Sequence, residues 1–125
     1  MDVMTDEPLS GADVVAELRA AGDLDRLFAR IDAGEIELTG SGGLIPELIK
    51  AALERGLAAE LTSHLGYDKG DPEASLFANS RNGSTPKTVA SQVGQVPLDV
   101  PRDRDGTFVP RLVSKGHVAW AASTR

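Results

Sequence analysis

The sequence predicts an α+β fold, with three helices in front and a small three-stranded antiparallel sheet behind a long loop. Three observations lead there. Apolar residues over 44–65 recur at steps of three and four, as they do along one face of a helix. From Thr88 onward the period shortens to two, the signature of half-buried strands. Between these stretches, residues 67–87 carry Gly, Pro, Asn, Ser and Asp with no sustained period, which reads as a loop or linker.

The elements follow in order. Ser10 is placed to cap a first helix, with Asp13 standing where a capping box has its acid. Val14, Val15, Leu18 and Ala21 mark one face of that helix, and Gly22 closes it. Asp23 reads as the next cap, followed by Leu24, Leu27, Phe28 and Ile31 and a stop at Gly34. The two short helices make an acidic hairpin over 1–40.

Gly40-Ser41-Gly42-Gly43 breaks the chain before a long amphipathic helix within 41–66. Its stripe is Leu44, Ile45, Leu48, Ile49, Ala52, Leu53, Leu57, Leu61 and Leu65, and Gly66 ends it. The stripe is long enough to suggest self-association as well as core packing.

The β region covers 88–116. Val89, Ser91 and Val93 alternate, Gly94-Gln95 turns the chain, and Val96, Leu98 and Val100 alternate again. Asp105-Gly106 is a second turn signal, after which Phe108, Val109, Leu112 and Val113 suggest a third strand, at an edge because of Pro110.

Composition narrows the function. Of the 125 residues, 41% are hydrophobic and 26% charged, a globular balance. No cysteine is present, which excludes disulfides, thiolate metal sites and cysteine nucleophiles and fits a reducing compartment. No apolar run approaches the roughly 20 residues of a bilayer span. The N-terminus, with Asp2, Asp6 and Glu7, is acidic where a signal peptide is basic. The expected location is the cytoplasm, away from membranes.

Familiar sites of chemistry fail when tried. Ile45 stands where a dinucleotide fingerprint beginning at Gly40 needs a small residue, and no Gly-Lys-Ser/Thr follows. Aligning Gly106 with the glycine of a calcium loop puts Pro101 and Leu112 at ligand positions, so the segment is a turn. His64 and His117 lie too far apart for a local metal pair, and His64 near a helix C-terminus suits the dipole. There is no Gly-x-Ser-x-Gly elbow, and the paired carboxylates of the front half read as solvated helix faces.

Charge is the stronger signal. The formal net charge of −6 divides unevenly: residues 1–75 hold 16 acids and 6 bases, while residues 76–125 hold 3 acids and 7 bases. Arg81, Lys87, Arg102, Arg104, Arg111 and Lys115 therefore occupy a segment with few acids, and Arg81 sits among Asn79, Ser80, Asn82 and Gly83. Cations among short hydrogen-bonding side chains suit phosphate contacts, and these six are the candidate DNA-binding residues.

Specific motifs then point to a family. Glu60-Leu61-Thr62-Ser63-His64-Leu65-Gly66-Tyr67 is followed by Asn79-Ser80-Arg81-Asn82-Gly83 and Lys87-Thr88-Val89. After Val93-Gly94 comes Val100-Pro101-Arg102-Asp103-Arg104-Asp105-Gly106-Thr107-Phe108. In this order and spacing the stretch from Leu44 to Lys115 resembles the N-terminal region of Mutator-type transposases of bacterial insertion sequences. Residues 1–40 match only loosely.

The resemblance implies a protein that binds the terminal inverted repeats of its element. In that family an acidic triad on an RNase-H-like domain, with divalent metal taken as Mg²⁺, performs cleavage and strand transfer. That domain lies downstream of this stretch, so no catalytic residue and no cofactor is expected in the chain. Similarity stops abruptly after Gly116, and residues 117–125 form a non-family tail whose sharp onset implies a frameshift or truncated gene copy. The resulting reading is a DNA-binding and assembly region of a transposase. The alternative is a small interaction protein that docks a helical partner on the 44–65 stripe.

Overall fold

The computed structural model describes residues 9–114 together with 117–118. The chain divides into two units, residues 1–37 and 38–125.

In the first unit, helix α1 spans Gly11–Ala20 and helix α2 spans Asp23–Asp32. The Ser10 side chain caps α1, accepting from the Asp13 N–H at 3.0 Å. Gly22, at φ +86°, makes the turn that a side chain would strain. It is also the N-cap of α2, so Asp23 is the first helical residue rather than the cap. There Asp23 pairs with Arg26 and places an acid at the positive end of the helix dipole. Neither helix contains a buried residue.

The second unit is built on helix α3, Leu44–Leu65, which matches the predicted stripe from end to end. Gly66 terminates it in the left-handed region, at φ +91°. Strands β1 (Arg81–Val89) and β2 (Val96–Asp103) form an antiparallel pair, in which Val89 faces Val96, Lys87 faces Leu98 and Thr85 faces Val100. Alternate residues of β2, Val96, Leu98 and Val100, are buried. They pack with Val89, Val113, Leu53 and Leu57, while Ile49 and Leu112 lie at the margin. A second cluster at the C-terminal end of α3 joins Leu61, Leu65 and Tyr67, with Ala74 and Phe108 against it. The stripe predicted to meet a partner is thus covered from Leu53 to Leu65 by the chain's own residues.

The far edge of β2 is closed by α3. Glu54 accepts from the Asp99 N–H at 2.8 Å, and Lys50 donates to the Pro97 carbonyl at 2.9 Å. The two side chains also bond each other at 2.8 Å. Because Asp99 turns its N–H away from β1, Pro97 and Pro101, two residues to either side, stand where a missing N–H costs the ladder nothing.

The sheet departs from the expected three strands. β1 begins at Arg81, well inside the predicted loop, and the segment over Ser91–Gly94 is a turn in which the Ser91 and Gly94 backbones bond each other. The expected third strand does not join β1 and β2. Pro110 has no N–H, and the N–H groups of Arg111 and Leu112 are taken by the Glu60 carboxylate, so the segment has little left to offer a ladder. The chain instead makes a separate small pair, β3 (Val113–Ser114) with β4 (His117–Val118). No helix among the described residues is long and apolar enough to cross a membrane.

Candidate nucleic-acid interface

The cationic segment is organised around one buried acid, Asp103, at the end of β2 and only 5% exposed. Its Oδ2 accepts from the Asn79 side chain at 2.8 Å, from the Thr107 hydroxyl at 2.9 Å and from the Thr107 N–H at 3.1 Å. Its Oδ1 accepts from the Phe108 N–H at 3.2 Å. Burial alone would raise the carboxyl's pKa. The hydrogen bonds from Asn79, Thr107 and Phe108 outweigh that and hold it well below the ordinary aspartate value.

His64, in the last turn of α3, completes the cluster. Its Nε2 lies 2.9 Å from the Thr107 hydroxyl and 3.2 Å from Asp103 Oδ2. Since the hydroxyl donates to Asp103, an Nε2–H that donates satisfies both contacts. Asn79 works in two directions: its amide N–H reaches Asp103, while its Oδ1 accepts from the N–H groups of Ser80 and Asp105 at 2.9 and 3.0 Å. The turn after β2 is therefore fixed by side chains from α3, from the segment before β1 and from β2 itself.

This frame sets where the predicted cations go. Arg102 and Arg104 flank Asp103 and are both exposed. The Arg102 Nε–H donates to the Asn82 carbonyl at 3.1 Å, laying the side chain across a bulge in β1. Gly83 allows this approach: it sits at φ +71°, and a Cβ there would stand 3.0 Å from the guanidinium. Arg104 is tied by its backbone, its N–H donating to Ser80 O at 2.7 Å, which leaves the side chain in solvent. Arg111 is exposed on the following loop.

The other candidates are placed differently. Arg81 is half-buried; its guanidinium donates to the Thr62 hydroxyl at 2.8 Å and to the Tyr67 carbonyl at 3.2 Å and lies 5.4 Å above the Tyr67 ring. It joins β1 to the end of α3. Lys87 is half-buried opposite Leu98 and lines, with Thr85, Val100, Arg102, Phe108 and Pro110 among others, a cleft of about 420 Å³. Lys115 lies outside the described residues, as does the tail beyond Val118.

Two residues that shape the site stand in the quoted motifs without being site candidates. For Asp103 the sequence shows only a turn, because the N–H groups it accepts lie four and five residues on, beyond the pattern of an Asx turn. Glu60 gave no local signal, because the N–H groups it accepts lie 51 and 52 residues away. Among the described residues no group of three or more His, Asp or Glu side chains is close enough to hold a metal ion.

A family model described as "Transposase, Mutator family" matches residues 23–119. The chain is 44% identical over 92 residues to a probable transposase for an ISRM3-like insertion sequence element of Sinorhizobium fredii, a match covering 74% of this chain and 22% of the relative. It is equally similar, 44% over 94 residues, to the ISRM3 transposase of Rhizobium meliloti, again across 22% of that protein. The transposase of IS905 from Lactococcus lactis is 40% identical over 73 residues. The chain thus spans about a fifth of the length of the curated relatives it matches.

Proposed function

The chain belongs to the Mutator family of transposases, and from that premise we propose that it is a region that holds the DNA ends of an insertion element. The observation that carries this reading is the turn around Asp103. A buried, fully bonded carboxylate holds a short segment so that Arg102 and Arg104 stand outside it, with Arg111 further along. Holding the backbone of these cations removes part of the ordering cost of meeting phosphates, and phosphate contacts set the register of a protein on a duplex. Arg81 and Lys87 support the reading less directly, Arg81 by holding β1 against the end of α3. Cleavage and strand transfer, with their acidic triad and divalent metal, are assigned to the part of full-length relatives outside the matched stretch.

A gel shift on a duplex carrying the element's terminal inverted repeat tests the reading. Binding should weaken steeply with salt, and replacing Arg102 and Arg104 together by alanine should lower the slope of log affinity against log salt by about 2. The same duplex should remain uncut when Mg²⁺ or Mn²⁺ is added. Absence of binding at low salt, or an unchanged slope in the double variant, overturns the assignment.

A protein-interaction role is also favoured by one observation, exposed apolar residues on helices. Val14, Val15, Leu18 and Phe28 of the α1–α2 hairpin are each 39–45% exposed. The first half of the 44–65 stripe offers a second such surface: Leu53, Leu57, Leu61 and Leu65 are core, whereas Leu48 is 53% exposed.

A further inference from the structure

The loop after the Asp103 turn is held at both ends by carboxylates from other elements. Asp103, on β2, takes the N–H groups of Thr107 and Phe108 at 3.1 and 3.2 Å. Glu60, on α3, takes those of Arg111 and Leu112 at 2.7 and 3.1 Å. Inside these clamps Phe108 packs on the Leu61–Leu65–Tyr67 cluster and Leu112 on the Leu53–Leu57 cluster. Between the two anchors Val109 points outward and is 76% exposed. Single exposed apolar residues are ordinary. Here, however, four backbone hydrogen bonds and two apolar anchors fix the chain in the conformation that keeps Val109 in water.

The neighbours of Val109 describe its partner. Pro110 follows it and has no N–H, while Arg104 and Arg111 on either side are exposed, as is one acid, Asp105, beside Arg104. An apolar tip one chain wide between cations suits a narrow channel with apolar walls and anionic rims. The minor groove of B-DNA is such a channel, about 6 Å wide, whereas the major groove, about 12 Å wide, admits a helix or a two-stranded ribbon. Minor-groove proteins commonly combine arginines with apolar side chains wedged at the base steps.

We infer that the tip of this loop enters the DNA minor groove, with Val109 and Pro110 against its walls and Arg104 and Arg111 at the phosphates of its rims, while Thr107 and Phe108 stay in their contacts with Asp103 and the core. Glu60 and Asp103 are positioning residues that hold the loop in shape. The inference rests on the DNA-binding reading above and adds the groove and the residues that fill it.

The test uses the whole chain and a fluorescein-labelled duplex of alternating A·T pairs, read by anisotropy. The minor-groove ligand netropsin should displace the protein and the major-groove ligand methyl green should not. Val109→Asp should weaken binding about tenfold, the equivalent of about 1.4 kcal/mol, with the circular dichroism spectrum unchanged, whereas Val109→Ile should bind like the parent chain. Glu60→Gln should weaken binding and leave a residual complex that no longer responds to netropsin, a change that general destabilisation would not produce. Equal affinity of Val109→Asp and the parent, or displacement by methyl green alone, overturns the groove assignment and leaves the DNA-binding reading standing. No binding of the parent chain to this duplex at low salt overturns the groove assignment, and no binding to the terminal-repeat duplex as well overturns both.

Discussion

Asp103 gathers bonds from Asn79, Thr107 and Phe108, and its ionisation links the fold to pH. The hydrogen bonds it accepts favour the charged form, so its pKa in the folded chain lies below the 3.8 of an ordinary aspartate. The unfolded chain therefore takes up the proton first as pH falls. The stabilisation is fully present above pH 3.8 and is lost progressively below it. Asp103→Asn removes the charge and, with the amide oxygen kept toward Asn79 and Thr107, sets an NH₂ against the Phe108 N–H, donor to donor. The variant should melt lower at neutral pH and lose less stability than the parent on acidification to about pH 3. Thermal melts of both proteins at the two pH values check this, and parallel acid losses would mean that other carboxylates set the acid limb.

At the scale of elements, legibility followed the source of each element's stability. Helix α3 was readable because its period, its glycine stop and its burial all agree, and Leu53, Leu57, Leu61 and Leu65 are the residues it buries. β1 was not. Arg81-Asn82-Gly83-Ser84-Thr85-Pro86-Lys87 has no apolar alternation, and the strand exists because β2 supplies its partner across the ladder. The third strand failed for a related reason, since a carboxylate on α3 took the N–H groups that a ladder needs. The candidate interface divided in the same way: Arg102, Arg104 and Arg111 were legible as cations, but nothing local showed that Arg81 turns inward to Thr62 and Tyr67. The glycine break before α3 is docked. Gly40 donates to the Val93 carbonyl at 2.9 Å, and a Cβ at Gly94 would lie 2.8 Å from the Gly40 oxygen. Gly94 also sits at φ +132°, so Gly94→Ala combines backbone strain with a collision against main chain and should destabilise the second unit by about 1–3 kcal/mol. Urea denaturation measures it; an unchanged midpoint would show that the 38–43 segment moves aside freely.

For the molecule as a whole, the division into two units is also a division of charge. Residues 1–37 carry ten acids and three bases, whereas residues 38–125 carry nine acids and ten bases. A chain of net charge −6 is repelled by a polyanion at long range even when it contacts phosphates at short range. The two effects separate by ionic strength, because exposed charges beyond about 10 Å are largely screened at 0.1 M salt while contacts at the phosphate are not. Glu17, Asp32, Glu35 and Glu37 are all exposed. Changing them to Gln, Asn, Gln and Gln removes four negative charges from the first unit without touching the second. Affinity for terminal-repeat DNA should rise at low salt, and the advantage over the parent should shrink steadily as salt is added. A titration of both proteins across a salt series reads this directly. An advantage that persists at high salt would mean that the first unit lies against the DNA itself. No advantage at low salt would mean that its acids act too far from the bound duplex to matter.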